Sequence, residues 1–307
     1  MRLDDLPESG NIEDRRGDGS GGGGGGLGGI PIGGGGIGIG TIIILGLIGW
    51  ALGIDPRLLI GGAELISGGG APSQFQQPAR PNRPTGVPQD EIGRFVSRVL
   101  GSTEVTWKSI FSKEGKNYRA PTLILYDGVT HAACGGNAQA AMGPFYCPVD
   151  QKVYLDTAFF KQIETRFRGC EGKSCQFSQA YVIAHEIGHH VQNLLGILQR
   201  SQQLQQSSSG RAEANAIQVR VELQADCLAG VWANNSNQRW KSLEPGDVEA
   251  AMQTAAAIGD DRLQQQSRGY VVPDAFTHGS SAQRQRWFMT GLKEGKVSAC
   301  NTFSGQV

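Results

Sequence analysis

The sequence has no excess of charge of either sign. It contains 28 lysine and arginine residues and 28 aspartate and glutamate residues, so its formal net charge is zero. Nucleic-acid-binding proteins normally carry a basic excess or a basic patch, and no cluster of lysines and arginines is present here. We therefore expect no nucleic-acid partner. No feature of the sequence specifies an oligomeric state.

The sequence also lacks the C-x-x-C pairs that are typical of structural zinc sites. Its six cysteines lie at irregular spacing in the C-terminal part of the chain: Cys134, Cys147, Cys170, Cys175, Cys227 and Cys300. An even number of cysteines favours disulfides in an oxidising compartment, and buried free thiols in a cytosolic protein are the alternative. We prefer the pairs Cys134–Cys147 and Cys170–Cys175, which close short loops. This choice leaves Cys227 to pair with Cys300.

Glycine, in contrast, is abundant and unevenly distributed. Of 46 glycines, 25 fall within residues 1–70, where they run in blocks such as residues 21–26 and 33–36. The blocks have no period of three, which excludes a collagen helix. We divide the chain into a disordered polar and glycine-rich segment (1–36), a transmembrane anchor (37–60), a glycine- and proline-rich linker (61–89) and a globular domain (90–307).

The anchor is predicted from an uncharged apolar run over residues 37–54, at the lower limit of length for a membrane-spanning helix. Trp50 lies near one end, where interfacial aromatic residues are common. A cleavable signal peptide is disfavoured, because the run begins too far into the chain and no small-x-small cleavage site follows. A buried core helix and a glycine-rich disordered arm are the remaining alternatives.

The orientation of the anchor is predicted from the residues around it. Arg15 and Arg16 precede the apolar run and Arg57 follows it, a weak indication that the N-terminus is cytoplasmic. The cysteines agree, since this orientation would place them outside the cytoplasm. We therefore expect a single-pass protein of the inner membrane whose globular domain is periplasmic or otherwise extracytoplasmic.

Strand-like segments come first in the globular domain and helical segments follow. Asp90 is placed to cap a helix over residues 91–100, and β-like runs occur at residues 122–126, 144–147 and 152–155. From Thr157 onward the pattern is mostly helical. This order predicts an α+β fold with a small sheet and a bundle of helices.

The most informative segment contains His185, Glu186 and His189 in an H-E-x-x-H pattern. Residues i and i+4 lie one above the other on a helix, so the two imidazoles can bind one Zn²⁺ ion. Glu186 is offset by one residue, which places its carboxylate beside the water on the metal. An apolar seam at helical spacing indicates a buried amphipathic helix: Ala184, Ile187, Val191, Leu194 and Leu198.

A third protein ligand is expected from a second helix. We predict this helix over residues 212–233, after a glutamine- and serine-rich connection at 199–210. If the two helices are antiparallel, Glu222 returns over the two histidines as the third ligand. Asp226, one turn later, can accept the second ring N–H of a ligand histidine. A solvated helix face is the alternative for both carboxylates.

Three stretches of the sequence resemble the bacterial neutral zinc metallopeptidases: AYVIAHEIGHHVQNLLGI, VELQADCLAGVW and PDAFTHGSSAQRQRWF. More broadly, H-E-x-x-H followed by E-x-x-x-D is similar to the glutamate-type zinc peptidases, which implies a zincin-like domain. The resemblance implies a membrane-anchored peptidase that holds one Zn²⁺ ion and acts on a peptide or protein substrate.

Within such a peptidase Glu186 would be the general base, and we assign His278 as the donor to the oxyanion of the tetrahedral intermediate. Arg284 and Arg286 bind a substrate carboxylate or Asp226, or form a charged helix face. We interpret His190 as structural and residues 260–261 as the charged end of a helix. For His131, near the predicted strands, a place at the substrate edge is the less favoured interpretation. A metal-stabilised, membrane-tethered scaffold without catalysis is the alternative function.

Overall fold

The computed structural model describes residues 1–17, 84–134, 136–139, 143–165, 170 and 175–307. The predicted anchor at 37–60 and most of the predicted linker lie outside these ranges. Within them, no helix has both the length and the apolar character that a membrane crossing requires.

The domain contains a four-stranded sheet whose two faces are both covered by buried residues. Its strands are β1 (Ile12–Asp14), β2 (Thr122–Tyr126), β5 (Phe145–Cys147) and β6 (Lys152–Asp156), in the spatial order β1-β2-β6-β5. Strands β1, β2 and β6 are parallel to one another, and the edge strand β5 is antiparallel to β6. Strands β3 (Val129–Ala132) and β4 (Gly136–Gln139) form a separate hairpin. The apolar runs of β2 and β6 bury all but their first residues, which explains their central positions.

Helices make up most of the rest of the described chain. They are α1 (Glu91–Lys113), α2 (Thr157–Thr165), α3 (Cys175–Leu194), α4 (Ile197–Gln206), α5 (Arg211–Trp240), α6 (Asp247–Ala257), α7 (Asp260–Arg268) and α8 (Ser281–Glu294). Asp90 caps α1 as predicted, by accepting from the Gly93 amide at 3.0 Å. The α+β prediction is thus confirmed. Two predicted boundaries were too short: α1 continues to Lys113, and a helix, α4, occupies much of the predicted connection at 199–210.

Residues 1–17 were predicted to be disordered, and this prediction is wrong. Ile12 is 1 % exposed in β1, and Met1 and Leu6 are each 5 % exposed against the main core. Ser9 and Ser97 are joined by three hydrogen bonds, which fasten the segment to α1. The segment is polar on average, although it contains a few apolar residues. These residues are buried because β1 pairs with β2, a strand that is far away in sequence.

The two ends of the segment between Gly17 and Pro84 are held together on the domain. The amide of Gly86 donates to the carbonyl oxygen of Ile12 at 2.9 Å, and the Arg16 guanidinium donates to the Asp90 carboxylate. Any single membrane crossing between residues 17 and 84 would separate β1 from β2, to which it is hydrogen-bonded in parallel. The strand pairing therefore requires residues 1–17 and the domain to share one side of any membrane. The anchor at 37–60, its topology and the compartment of the domain stay predictions.

All six cysteines are paired, in the combination preferred from the sequence. Cys134–Cys147 links the end of the β3–β4 hairpin region to β5, and Cys170–Cys175 closes a short loop at the start of α3. Cys227–Cys300 joins α5 to the C-terminal segment across 73 residues of sequence. The alternative of buried free thiols is wrong for this fold, since no cysteine is left unpaired.

Helices α5 and α8 make backbone contact at two glycines. A Cβ atom on Gly230 would lie 2.1 Å from the Phe288 carbonyl oxygen, and one on Gly291 would lie 1.9 Å from the Cys227 carbonyl oxygen. No side chain fits at either position. The close crossing places α8 directly against the segment of α5 that carries Glu222 and Asp226.

Gly291→Ala is expected to destabilise the fold. The added methyl group must push α8 away from α5. Because the clash is with backbone, we take the upper end of the usual overpacking cost, about 3 kcal/mol. For a domain of this size that corresponds to a fall in Tm of roughly 6–12 °C, measurable by calorimetry. Gly10→Ala is the matched control, because a Cβ at Gly10 meets nothing within 4 Å. Equal melting temperatures for the two variants would contradict the close crossing.

Candidate metal centre

The site lies between α3 and α5, which run antiparallel and in close contact. A Cβ atom on Gly188 would lie 3.0 Å from the Ala225 carbonyl oxygen, so a larger residue here would push the helices apart. Further along, the Gln192 side chain contacts the backbone of Val221. This pairing of rising residue numbers on α3 with falling numbers on α5 is the antiparallel arrangement that the sequence argument assumed.

The close contact brings His185, His189 and Glu222 together. Their potential ligand atoms all lie within 4.8 Å of one another. Glu222 Oε2 is 3.2 Å from His185 Nε2 and 3.4 Å from His189 Nε2. His185 and Glu222 are 7 % and 6 % exposed. Two imidazoles and one carboxylate are a ligand set of catalytic zinc sites, which keep a further position for water, so these residues fit a Zn²⁺ ion.

Glu186 lies beside this cluster without being part of it. Its side chain is 7 % exposed. Burial raises the pKa of the Glu186 carboxyl above its ordinary value, although the neighbouring His185 and His189 oppose the shift. A raised pKa makes this carboxylate a better proton acceptor than an exposed one, which is the property that a general base needs.

Asp226 is fully buried and accepts hydrogen bonds from three side chains. Its Oδ1 lies 2.8 Å from His185 Nδ1 and 2.5 Å from the Tyr181 hydroxyl, which donates to it. Arg284 donates to both carboxylate oxygens, from Nε at 2.8 Å and from Nη2 at 2.9 Å. The alternative of a solvated helix face is therefore wrong for Asp226 and also for the buried Glu222.

The two arginines of α8 differ in their surroundings. Arg284 is 3 % exposed and belongs to the Asp226 network, which decides among the three roles considered from the sequence. Arg286 instead lies over the Trp287 ring, with its guanidinium carbon 5.8 Å from the ring centroid. Arg284 is therefore a buried partner of Asp226, which in turn contacts the His185 ring.

The charges of the metal-free cluster reinforce one another. Burial disfavours the charged imidazole of His185, but Asp226 and Glu222 outweigh this effect and raise the pKa of His185 to about 10. Burial would likewise raise the pKa of Glu222, yet the three histidines around it hold that pKa well below its usual range. For Asp226, the cation of Arg284 and His185 overcome burial and lower the pKa. Glu222 and Asp226 are thus both anionic at neutral pH, as metal binding requires.

His278 lies in a short turn before α8 that packs against the same part of α5. A Cβ on Gly279, whose φ is +89°, would lie 3.1 Å from Leu223 and 3.3 Å from Val219. The pKa of Glu222 is lowered in part by the charge of His278. The turn therefore brings His278 close to Glu222. The role of His278 as a donor to the oxyanion stays a prediction.

Asp260 holds this turn in place. Its Oδ2 accepts from the backbone amides of Thr277, His278 and Gly279 at 2.6, 2.6 and 3.1 Å, and its Oδ1 lies 3.5 Å from His278 Nδ1. Asp261 accepts from the amide and hydroxyl of Ser281. Residues 260–261 form the charged first turn of α7, as predicted. The contact of Asp260 with His278, 18 residues further along the chain, was not predicted.

The other two histidines considered from the sequence lie outside the cluster. His190 accepts from the Tyr146 hydroxyl and donates to the Arg119 carbonyl oxygen, and burial lowers its pKa to about 4. It is neutral and structural, as predicted. His131 is an exposed residue of the β3–β4 hairpin, and its carbonyl oxygen accepts from Arg15.

Two residues of the site were missed by the sequence argument. Tyr181 lies one helical turn before His185 on the same face, and Gln192 lies three residues after His189. A polar side chain three or four residues from a ligand histidine lies on the same helix face. This spacing could have identified Tyr181 and Gln192 as candidate partners of the histidines. Gln192 bonds directly to the His189 ring.

Comparison with known proteins gives a consistent set of relatives. The family described as "Putative neutral zinc metallopeptidase" matches residues 1–303. The "Uncharacterized protein YpfJ" of Escherichia coli K12 is 45 % identical over 308 residues, with all of both chains covered. The "Uncharacterized protein Mb2605" of Mycobacterium bovis is 44 % identical over 227 residues, covering 70 % of this chain and 73 % of its own. No solved structure matches the chain.

Proposed function

The chain belongs to the neutral zinc metallopeptidase family, and from that premise we propose that it is a zinc-dependent peptidase with a zincin-like catalytic domain. The observation that carries this proposal is the buried cluster of His185, His189 and Glu222, with Glu186 beside it. A purely structural metal site is normally closed by four protein ligands and needs no adjacent base.

In this proposal His185, His189 and Glu222 hold the metal. When bound, Zn²⁺ would supply a Lewis acid and lower the pKa of a water molecule towards ~7. Glu186 accepts a proton from the attacking water and returns it to the nitrogen of the leaving amine. His278 donates a hydrogen bond to the oxygen of the scissile carbonyl as negative charge develops there. Asp226 and Arg284 keep the His185 ring oriented.

We propose further that the protein acts at a membrane, through residues 37–60, with its domain in an oxidising compartment. The uncharged apolar run supports the first part, and three disulfides support the second. The pairing of β1 with β2 adds a restriction: residues 1–17 and the domain must lie on the same side of the bilayer.

The proposed ligand set is tested by zinc content. The purified protein is expected to hold about one Zn²⁺ per chain, and Glu222→Ala is expected to hold less than about a tenth of that, because two histidines alone leave the site incomplete. Mass spectrometry of the metal after desalting measures both values. Glu249→Ala, at an exposed position of α6, is a control that should keep its zinc.

Hydrolysis of an unstructured protein such as casein should accompany the zinc, and a chelator should abolish it. A wild-type protein without zinc would refute the proposal. Zinc bound at full stoichiometry together with no hydrolysis of any peptide would instead favour the scaffold alternative.

A further inference from the structure

The second histidine of the cluster is held differently from the first. His185 donates from Nδ1 to the carboxylate of Asp226, whereas the Nδ1 of His189 lies 2.9 Å from Oε1 of Gln192. Gln192 is fully buried, three residues after His189 on α3. A neutral imidazole can carry its proton on either nitrogen, so the partner at Nδ1 determines which nitrogen is free for a metal.

The orientation of the Gln192 amide follows from its other contacts. Its Nε2 donates to the carbonyl oxygen of Val221 at 2.8 Å and to Oε1 of Gln224 at 2.9 Å. A backbone carbonyl can only accept, so the NH₂ group must face Val221. Both protons are then used, and the Gln192 oxygen is left to face His189. An oxygen at this position requires the proton on His189 Nδ1 and leaves the Nε2 lone pair directed at the cluster.

Gln224 is oriented by the same logic. Its Nε2 donates to the carbonyl oxygen of Cys300 at 2.8 Å, which leaves its oxygen to accept from Gln192. Cys300 is 1 % exposed and is fixed by its disulfide to Cys227. The hydroxyl of Thr302 also donates to the carbonyl oxygen of Arg220 at 2.6 Å, so the C-terminal segment is fastened to α5 on both sides of Gln224.

We propose that Gln192 is a positioning residue for the metal site: held by Gln224 and the Cys300 carbonyl, it fixes the tautomer and ring orientation of His189. This inference rests on the proposed function, since it takes His189 as a zinc ligand. A neutral amide also suits the location. Glu186, Glu222 and Asp226 already place three carboxylates at or beside the proposed metal site, and Arg284 supplies one compensating cation. The series of hydrogen bonds from the Cys300 carbonyl through Gln224 and Gln192 orients the His189 ring without adding a further charge.

Zinc affinity is the first test, measured by competition with a chelator of known affinity. Gln192→Met keeps the length of the side chain but removes the amide oxygen that accepts from Nδ1, and loss of such a partner weakens metal binding about 10–100-fold. Gln264→Met is the matched control, because Gln264 is a buried glutamine, 5 % exposed, whose oxygen accepts from the Val272 amide. Its zinc affinity should stay within about threefold of wild type.

Gln224→Met tests the rest of the chain of hydrogen bonds. Gln192 would lose one acceptor but keep Val221, so the expected affinity lies between those of Gln192→Met and the control. An affinity equal to the control would remove Gln224 from the proposal.

A second measurement does not depend on any variant folding. In ¹⁵N-edited NMR spectra of the zinc-loaded wild-type protein, the His189 proton should reside on Nδ1 and exchange slowly with water. A proton on Nε2, or no protected proton at Nδ1, would overturn the inference. Failure of the wild type to bind zinc would refute the proposed function. Normal wild-type binding with Gln192→Met equal to Gln264→Met would refute this inference alone.

Discussion

Replacing Glu186 by glutamine should lower peptide hydrolysis by about 10²–10⁴-fold and leave zinc bound, because general acid–base catalysis contributes that much and glutamine cannot accept the proton. Glu186 lies outside the group of three ligands, so the metal content should not change. Measuring kcat/KM with a fluorogenic peptide, together with zinc per chain, separates the two effects. Glu164→Gln, an exposed residue at the end of α2, is the control that should retain full activity.

The same variant has a predicted effect on stability in the metal-free protein. Burial raises the pKa of Glu186 in the folded state, so the ionised carboxylate destabilises the fold at pH values above its ordinary value of 4.5. Metal-free Glu186→Gln should therefore be more stable than metal-free wild type at pH 7. The difference should vanish as the pH falls below 4.5, where the carboxyl is neutral in both folded and unfolded states. Activity within tenfold of wild type would show that Glu186 is not the base.

The ligand histidines could be predicted because their relation is local. His185 and His189 are one turn apart, and helical geometry alone brings their rings to the same face. Glu222 needed one more assumption, that the second helix returns antiparallel to the first. The structure supplies the physical basis for that assumption in Gly188, whose missing side chain lets α3 and α5 approach closely.

The parts that could not be predicted depend on contacts between distant residues. The Asp260 carboxylate accepts hydrogen bonds from three backbone amides of the turn that carries His278. No local sequence pattern indicates that this carboxylate, at the start of α7, binds a distant turn. The orientation of Gln192 depends on a carbonyl of α5 and on a second glutamine. Such hydrogen bonds are specified by tertiary packing, so spacing along one helix indicates a candidate residue but not its partner.

The N-terminal segment is a second part of the fold that depends on a contact between distant residues, and this contact affects the predicted membrane topology. Averaged polarity predicted disorder for residues 1–17, yet Ile12 forms a parallel strand pair with Leu123 and is nearly inaccessible to solvent. Parallel pairing needs a long connection, so its signal is absent from the neighbourhood of either strand. The predicted membrane topology rested on this segment being independent of the domain.

Cysteines introduced at Asp4 and at Gln202 should therefore react identically with a membrane-impermeant maleimide in intact cells. Asp4 lies in the N-terminal segment with its side chain 95 % exposed, and Gln202 is an exposed residue of α4. Because β1 and β2 are hydrogen-bonded neighbours, the two positions must be on one side of any membrane. A single crossing predicts the opposite result, in which one position is labelled fully and the other not at all.

Labelling of the same two variants after detergent treatment is the internal control, because both thiols should then react. Two labelled positions in intact cells would place the domain outside the permeability barrier, as the disulfides favour, and two protected positions would place it inside. Either result agrees with the fold. Labelling of only one position would mean that residues 1–17 are separated from the sheet in the cell. The β1–β2 pairing, and the contacts of Ser9 with Ser97 and of Arg16 with Asp90, would then be absent from the native protein.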